Sequence, residues 1–443
     1  MEIYKYPKSL PRSEHFKLRI NGHVVETLAT GVADFSICPL DASDFPAQVE
    51  ISTSQLLNDV KISPHSKKIS YTVEGVLIRF VLERPEKLSV NSSGGHKPFY
   101  LFATLPENNR PKPDDMDVIT IPAGQITETP MLTLEDGQTL YLPGGSVLKA
   151  RLHIKGKSGI RICGHGIIDG AYYDQSADGY IPTLIIECCP GAMVEDITMV
   201  RPAAWMLMLA TSDGVTVRNI NQIGEVISSD GIDVVGSSNV LIEDCFLHNN
   251  DDCVAIKAFH IGEKNLSQTD VDGRRNVENV LVQNCTFANW TGGNAMEIGH
   301  ELAVDTITKI TFRNIDVLHV HGIGAVFSIH NNDRATISDV LFEDIRIEHC
   351  YSKFIDFRIS RSHYSTDQER GRMRGITLRK IRWTRSTFNS GYTVSMIGGW
   401  DAAHAVEEVV LDDIFMDGAP VRHLDDLEIT TRYCSQLRLT AST

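Results

Sequence analysis

The chain has neither a long hydrophobic run nor a surplus of basic residues. No stretch of it reaches the roughly 18 consecutive apolar residues of a membrane-spanning helix, so we expect no membrane span. Lys and Arg together number 42 against 57 Asp and Glu, which gives a formal net charge of −15. Nucleic acids and anionic membranes both attract basic surfaces, so this balance argues against either as a partner.

The marks of secretion, of a zinc site and of a disulfide framework are also missing. Residues 1–19 are charged and contain prolines, without the apolar centre of a secretion signal. We therefore predict a cytoplasmic protein, or a secreted one if a leading signal has been removed. None of the spacings among the nine cysteines resembles a zinc site, and we expect reduced, buried thiols. No metal and no organic cofactor is implied.

What the sequence does contain is a repeated strand pattern. An alternating apolar segment, followed by Asn, Asp or Lys and then by Ile or Cys, recurs eight times. Such alternation is typical of a strand with one buried face. Constant strands with loops of varying length between them predict a right-handed parallel β-helix, whose turns bury their apolar faces by stacking. The copies end 23, 25, 40, 30, 30, 36 and 33 residues apart, at Ile197, Ile220, Cys245, Cys285, Ile315, Ile345, Ile381 and Ile414.

A different pattern precedes the repeats. From about residue 14 to residue 104, short apolar runs alternate with Gly- and Ser-rich turns, which predicts a small antiparallel β-sandwich. The polar, Pro-bearing segment from Leu105 to Asp117 is typical of a linker. We therefore predict an all-β protein with two domains, an N-terminal β-sandwich at residues 1–108 and a parallel β-helix at residues 109–443.

The longest interval between repeats holds an insertion, roughly Phe259 to Asn276. It is rich in Asp, Gly, Lys and Arg, and it leaves the predicted helix directly after a pair of aspartates. Loops on a rigid scaffold commonly carry binding residues. The insertion is therefore a candidate wall of a binding cleft, and a solvated surface loop is the alternative.

Aspartates cluster at one corner of two successive turns. Asp230 lies in the run Ser-Ser-Asp-Gly-Ile-Asp, and Asp251 and Asp252 follow 21 and 22 residues later. Residues one turn apart in a coil of strands lie on neighbouring strands, about 4.8 Å apart. Like charges this close raise the pKa of at least one carboxyl group, so one can hold a proton while another stays ionised. An acid and a base in one cleft are what hydrolysis of a glycosidic bond requires.

In these motifs the chain resembles the parallel β-helix glycoside hydrolases of families 28 (polygalacturonases) and 49 (dextranases and isopullulanase). The resemblance covers roughly residues 118 to 420 and implies an inverting enzyme. Position by position it implies that Asp251 is the general acid and that Asp230 and Asp252 activate the attacking water. The motifs that carry it are Gly164–Gly170, Ser228–Asp233 and Asp251–Lys257.

The sequence departs from the polygalacturonase pattern at two places. Where that family carries Gly-His-Gly, this chain has Asn294, and where it carries Arg-x-Lys, the stretch Phe327 to His330 offers no such pair. A uronic acid carboxylate desolvated without a cation would bind poorly. We therefore predict a neutral glycan of the dextran or isopullulan type as substrate. A pectic galacturonide is the alternative, for which Lys257 or Arg334 would replace the missing cations.

Other polar and aromatic residues on the same strip could contact sugar hydroxyls. Glu297, His300 and Glu301 come one turn after the aspartate pair, and His330 and Asn331 one turn later. Trp400 offers an aromatic face of the kind that packs against a pyranose, with core packing as its alternative. The predicted substrate-binding residues are Asp233, Lys257, Asn294, Glu297, His300, His330, Asn331 and Trp400, and no metal ligand is predicted.

Two other functions fit the same fold. A polysaccharide lyase would neutralise a uronate with calcium or Arg/Lys and use a strong base, whereas this strip offers carboxylates. A non-catalytic carbohydrate-binding solenoid would need no reason to hold three acids at one-turn spacing. The expected partner in each case is a carbohydrate. The sequence leaves the sugar, the linkage, the mode of cleavage and the oligomeric state open.

Overall fold

The computed structural model describes residues 1–56, 58–93, 97–108, 110–112, 115–386 and 394–440. Ten strands form its N-terminal part, with 3-10 turns at Ala42–Asp44 and His65–Lys67. The strands are β1 (Phe16–Ile20), β2 (His23–Val25), β3 (Leu28–Ala29), β4 (Asp34–Pro39), β5 (Ala47–Thr53), β6 (Asn58–Ser63), β7 (Tyr71–Glu74), β8 (Leu77–Leu82), β9 (Lys87–Ser93) and β10 (Phe99–Thr104).

These ten strands make two five-stranded sheets that face each other. One has the order β2-β1-β5-β8-β7 and the other β3-β4-β10-β9-β6. Strict alternation in β1 buries Phe16, Leu18 and Ile20 between the sheets. The predicted sandwich is confirmed with one difference, since β4 and β10 pair in parallel. Antiparallel hairpins need short links, whereas the chain between these two strands crosses to the other sheet and back.

The rest of the chain is a coil of stacked strands. A short α-helix (α1, Gln175–Asp178), a 3-10 turn (Leu424–Leu427) and the antiparallel hairpin of β27 and β28 interrupt it. Its strands are β11 (Val118–Thr120), β12 (Ile126–Leu132), β13 (Thr139–Tyr141), β14 (Val147–Lys155), β15 (Arg161–Cys163), β16 (Ile167–Asp169), β17 (Leu184–Glu187), β18 (Met193–Glu195), β19 (Thr198–Val200), β20 (Leu207–Ala210), β21 (Thr216–Arg218), β22 (Asn221–Ile223), β23 (Ile232–Val235), β24 (Val240–Glu243), β25 (Phe246–Asn249), β26 (Val254–Ala258), β27 (His260–Ile261), β28 (Val271–Asp272), β29 (Val277–Gln283), β30 (Thr286–Asn289), β31 (Met296–Leu302), β32 (Thr306–Val320), β33 (Ala325–Asn331), β34 (Thr336–Ile347), β35 (Lys353–Ile359), β36 (Arg372–Trp383), β37 (Ser395–Gly398), β38 (Val406–Met416), β39 (Ala419–Pro420), β40 (Ile429–Arg432), β41 (Cys434–Ser435) and β42 (Arg438–Thr440).

Apart from β27, β28 and β39, whose pairings are antiparallel, the strands pair in parallel with the strand one turn away along the chain. One column of such strands runs β17, β20, β23, β26, β31, β33 and β35, and we call its outer surface the cleft face. From β32 onward, single long strands such as β34 and β36 bend through a corner and serve two columns. This arrangement confirms the predicted parallel β-helix.

The repeat seen in the sequence corresponds to one sharp corner of the coil. The Asn, Asp or Lys of each copy has a positive φ, a left-handed conformation that Asn and Asp tolerate better than most residues. The next residue, Ile or Cys, then points into the apolar interior. The corner residues are Asp196, Asn219, Asp244, Asn284, Asn314, Asp344, Lys380 and Asp413, with φ between 52° and 67°.

The sandwich packs along one side of the coil and bonds to several successive turns. Tyr4 Oη lies 2.6 Å from His165 Nδ1, and Tyr100 Oη lies 2.6 Å from His248 Nδ1. At the far end, Ser63 Oγ donates to Glu348 Oε2 at 2.6 Å. Residue 109, at which the predicted second domain begins, lies outside the described residues.

Between the two parts lies a polar cavity of about 530 Å³, which we call the interdomain cavity. Several of its charged side chains pair with one another or bond to the backbone. Lys67 pairs with Glu86 at 3.0 Å and Arg161 with Glu195 at 2.6 Å. Lys87 donates to the carbonyl oxygen of Asp244 at 2.7 Å. Among the described residues, no helix has the length and apolarity needed to cross a membrane.

Candidate functional site

A cleft of about 680 Å³ opens on the cleft face, beside the ends of β23 and β26. Its walls are loops from two places in the chain. The insertion after β26 supplies Lys264, Asn265 and Leu266, and the segment between β35 and β36 supplies Tyr364 and Thr366. The insertion is therefore a wall of the cleft, as one of the two sequence-based alternatives proposed.

Asp230, Asp251 and Asp252 come together at this cleft. The backbone N–H of Gly231 donates to the carbonyl oxygen of Asp252 at 2.8 Å, which sets Asp230 beside Asp252 in the neighbouring turn. One carboxylate oxygen from each of the three lies within 4.8 Å of the others. Asp230 and Asp252 are buried, whereas Asp251 is partly exposed. The predicted cluster thus exists, with Asp251 at its more accessible side.

A buried lysine holds these carboxylates together. Lys257 Nζ lies 3.9 Å from Asp230 Oδ2, 4.0 Å from Asp252 Oδ2 and 3.7 Å from Glu301 Oε2. It also lies 5.1 Å from the centre of the Trp205 ring. Burial lowers the pKa of Lys257, but the carboxylates of Glu301, Asp230 and Asp252 more than offset this, so its pKa lies well above the ordinary value.

Asn294 connects Asp252 to a second carboxylate. Its backbone N–H and its side-chain amide donate to Asp252 Oδ1 at 2.7 and 3.0 Å, and the amide also donates to Glu297 Oε2 at 3.0 Å. Its side-chain Oδ1 accepts the N–H of Ala325 at 2.9 Å. Gly293 precedes it with φ +59°, and a side chain there would collide with the backbone of Asp252. Asn294 is therefore held in one orientation, facing both acids.

Behind Asn294 lies an ionised histidine. His330 Nδ1 lies 3.1 Å from both oxygens of Glu297, and its Nε2 lies 3.4 Å from Asp356 Oδ2. Burial opposes the charge on His330, but Glu297 and Asp356 raise its pKa to about 9. Burial likewise opposes the charge on Glu297, while His330 lowers the pKa of that carboxyl group to about 2.

Two further cations meet the same aspartate. Lys353 Nζ lies 2.9 Å from Asp356 Oδ2, and Arg358 Nε lies 2.6 Å from Asp356 Oδ1. Lys353, Arg358 and His330 all line the cleft. Three cations, Lys353, Arg358 and His330, here face the two carboxylates of Asp356 and Glu297, so this end of the cleft carries a local excess of one positive charge. We call Lys353, Asp356 and Arg358 the cationic group.

Aromatic rings stack beside this group. His300 is parallel to His330 with ring centres 4.3 Å apart, and Tyr364 stacks on the other side of His300 at 4.7 Å. Burial lowers the pKa of His300 to about 3, so this ring is neutral beside the charged His330. Tyr364 is exposed and lines the cleft beside this group.

Burial governs the protonation of the acid cluster. It raises the pKa of Asp230 and Asp251, and with Asp251 and Glu297 it raises the pKa of Asp252 to about 8. Lys257 opposes this increase for all three. The cluster therefore retains at least one proton near neutral pH while the lysine stabilises the remaining negative charge.

Within the part of the chain that the structure describes, two groups of side chains have the spacing needed to hold a metal ion. One is Asp230, Asp251 and Asp252, and the other is Glu297, His300 and His330. Lys257 already supplies a positive charge to the first group, and the imidazolium of His330 supplies one to the second. A divalent cation would have to displace these charges, so the residues present fit a metal poorly.

The structure places most of the predicted binding residues in or under the cleft. Lys257, Asn294, His300 and His330 line it, while Asp233 and Glu297 are buried beneath its floor. The other two predicted residues do not line the cleft. Asn331 is fully buried and donates to the carbonyl oxygen of Ala335, because strand alternation turns it inward. Trp400 follows β37, one turn beyond β35, and does not line the cleft.

The sequence analysis missed four residues of the site, namely Lys353, Asp356, Arg358 and Tyr364. A signal for two of them was present, because Asp356-Phe357-Arg358 repeats the alternation of Ser328-Ile329-His330 one turn later. The two polar side chains of each triplet face the cleft and the apolar one faces the core. Tyr364 lies on a loop without periodicity, so no pattern pointed to it.

A parallel β-helix with an acidic cluster of this kind defines the class as the β-helical glycoside hydrolases. Within that class the match to a family model is specific. Residues 148–422 match the model of the glycosyl hydrolases family 28. The chain belongs to this family.

Individual relatives share parts of the chain. Rhamnogalacturonase A of Aspergillus aculeatus is 30% identical over 196 residues, covering 43% of this chain and 39% of that protein. The exopolygalacturonase of Cochliobolus carbonum is 29% identical over 176 residues, covering 37% and 36%. The chain thus matches about two fifths of the length of these curated relatives.

Solved structures show the same fold at low sequence identity. Dex49A from Penicillium minioluteum has a TM-score of 0.67 at 12% identity and covers 99% of this chain and 97% of its own. A hyperthermoactive exopolygalacturonase from Thermotoga maritima has a TM-score of 0.53 at 15% identity, covering 73% and 85%.

Proposed function

We propose that this protein is an inverting glycoside hydrolase whose catalytic residues are Asp230, Asp251 and Asp252. The observation that carries the proposal is the meeting of these carboxyl groups around Lys257 in an open cleft. Buried acids with raised pKa values are expensive to keep, and such groups concentrate at catalytic sites. Membership of family 28 supports the same activity.

The geometry suggests a role for each acid. Asp230 and Asp252 each lie within 4.0 Å of the Lys257 ammonium group, which favours their ionised forms. Asp251 is the most exposed of the three, so in the reactive form the proton that the cluster retains lies on Asp251, which gives it to the leaving glycosidic oxygen. The ionised pair then takes a proton from the water that attacks the anomeric carbon.

Inversion follows from the burial of that pair. Asp230 and Asp252 lie below Asp251, with Asn294 bound to Asp252, so they reach the sugar through a water molecule rather than by direct attack. NMR of the first-formed product should show the inverted anomer. Net retention of configuration would contradict this arrangement and imply a covalent intermediate.

For the substrate, we propose a pectic chain that carries acidic sugars. His330 and, one turn later, the cationic group restore positive charge beside the stretch where the Arg-x-Lys pair is missing from the sequence. Lys353 has donors beyond its bond to Asp356, so a sugar carboxylate can bind without losing its charge partner. Relatives named exopolygalacturonase and rhamnogalacturonase support this choice of substrate.

A neutral α-glucan is the second candidate. Asp356 partly neutralises the cationic group, and the net charge of −15 opposes the approach of an anionic chain. The two candidates predict different responses to loss of one cation. Arg358→Leu should reduce kcat/KM on oligogalacturonate by about 10-fold or more while sparing a neutral oligosaccharide.

The experiment compares reducing-end release from polygalacturonate, rhamnogalacturonan, dextran and pullulan. The matched control is Arg334→Leu, because Arg334 pairs with Asp305 and Asp367 and does not line the cleft. Activity on dextran or pullulan alone would refute the pectic proposal. Ultraviolet absorbance of an unsaturated uronide in the product would instead indicate a lyase, and sugar binding without cleavage would indicate a binding protein.

A further inference from the structure

The outward-facing residues of the cleft face change from apolar to polar at the two turns that carry Asp230, Asp251 and Asp252, which we call the catalytic turns. One line of outward-facing positions along this face is apolar on the two turns directly before Asp233, at Ile185 and Met208, and polar on the turns after Ala255, at Glu297, Ser328 and Asp356. A neighbouring line carries the apolar Ala210 and Val235 directly before Lys257, and His330 and Arg358 face outward on later turns. Polar side chains return only further back, at His153, Lys155 and Glu187.

The apolar half of this face is covered by the chain's own insertion. Ile185, Met208, Ala210 and Val235 form a buried cluster with residues of the insertion that is separate from the interior core. The residues that cover them are Phe259, Ile261, Leu266 and Val271, joined by Ala204 and Trp205.

Hydrogen bonds fix the insertion over these earlier turns. The N–H of Ser267 donates to the carbonyl oxygen of Tyr180 at 2.8 Å, and the N–H of Tyr180 donates to Ser267 Oγ at 3.1 Å. Arg151 is almost fully buried and donates to the carbonyl oxygen of Gln268 at 2.9 Å. The insertion is thus anchored to turns that precede Asp230 in the sequence.

We infer that this enzyme cleaves at chain ends, because the insertion fills the groove on one side of the catalytic aspartates. A polysaccharide bound across the catalytic turns needs polar floor on both sides of the bond that breaks. Here the floor continues only toward His330 and the cationic group, and on the other side Trp205 and Leu266 close the cleft. A chain terminus fits this cleft, whereas the middle of a long chain does not. The inference rests on the proposed hydrolase activity.

The first test uses the unaltered protein and the polymer that it degrades. Chromatography of early products should show one short saccharide from the start, and viscosity should fall far more slowly than reducing ends appear. End-labelled oligosaccharides of increasing length should all be cut at the same distance from one end. A ladder of intermediate lengths at low conversion would overturn the inference while leaving the hydrolase activity intact. Absence of cleavage of any glycan would instead refute the proposed function.

The second test shortens the insertion. Replacing residues 263–269 with a two-residue Gly-Ser link keeps the hairpin strands at His260–Ile261 and Val271–Asp272, together with Phe259. This variant should release intermediate lengths that the unaltered protein does not. Continued release of only the short product by the folded variant would show that the insertion is not the barrier. If the variant does not fold, the cleavage position in end-labelled oligosaccharides decides the question alone.

Discussion

The two polar cavities of this protein are similar in size but differ in how their charges are arranged. In the interdomain cavity, acids and bases pair with each other, as Lys67 does with Glu86 and Arg161 with Glu195. In the catalytic cleft, three carboxylates share the single ammonium group of Lys257. At these residues the first cavity holds paired charges, whereas at the aspartates the second holds negative charge that Lys257 compensates only in part.

This difference separates a structural cavity from a functional one better than volume does. Each pair of surface charges contributes only about 0–1 kcal/mol to stability. Such a pair also leaves no uncompensated group that could react. Crowded carboxylates destabilise the fold but keep a proton available near neutral pH. The comparison can be tested by replacing one lysine and one acidic residue in each cavity.

The largest expected effect concerns the acid. Asp251→Asn should reduce kcat by on the order of 10²–10⁴-fold, because the amide cannot protonate the leaving oxygen. Substrates with very good leaving groups should be partly spared, and circular dichroism should show an intact fold. Near-normal turnover in this variant would remove Asp251 from the mechanism.

The second effect compares two buried lysines. Lys257→Met leaves Asp230, Asp252 and Glu301 without their cation, so the free energy of unfolding at pH 7 should fall by about 3–5 kcal/mol and activity should be lost. Lys87→Met in the interdomain cavity removes hydrogen bonds from Lys87 to backbone carbonyl oxygens. This change should reduce the free energy of unfolding by only about 1 kcal/mol, with kcat unchanged. Denaturant titration and initial rates measure both. Equal losses in the two variants would erase the contrast between the cavities.

The smallest effect is a pH dependence of stability. The folded state raises the pKa of Asp252 to about 8. The stability that the neutral Asp252 carboxyl group contributes is therefore fully present at acidic pH and is lost as the pH rises through that value. Asp252→Asn should therefore be more stable than the unaltered protein at pH 9, by roughly 1–3 kcal/mol, with little difference at pH 4.

The matched variant in the other cavity should behave differently. Glu86→Gln breaks the pairs with Lys67 and Arg84, so it should reduce stability by about 0–1 kcal/mol at either pH. Thermal unfolding at the two pH values compares the variants. A gain in stability for Glu86→Gln at pH 9 would mean that both cavities hold uncompensated charge.

The sequence predicted the coil and the acid cluster because both depend on local periodicity. Corner residues such as Asn284 and Asp344 recur with a fixed apolar neighbour, and each turn repeats the same register. Asp230 and Asp252 were therefore placed together from spacing alone. The parallel pairing of β4 with β10 was not predictable, since no periodic pattern links strands so far apart in the chain.

Lys353 and Arg358 were harder to predict because they lie on β35, one turn after the stretch from Phe327 to His330. The sequence analysis searched for Arg-x-Lys in one turn, and Arg358 lies beside His330 on the following strand. Neither Asn331 nor Trp400 lines the cleft. The alternation of Ser328, Ile329 and His330 already turns Asn331 inward, whereas Trp400 lies at a bend after β37, and the spacing does not encode the direction of that bend.

The contacts of the sandwich with the coil have a mechanical consequence. Tyr4, Tyr100 and Ser63 bond to His165, His248 and Glu348, so one rigid body is fastened across turns that otherwise touch only their neighbours. The sandwich thus acts as a splint. Pulled along its axis, the coil should yield first in the unsplinted turns after Glu348, and the splinted turns that carry the aspartates should rupture together at a higher force.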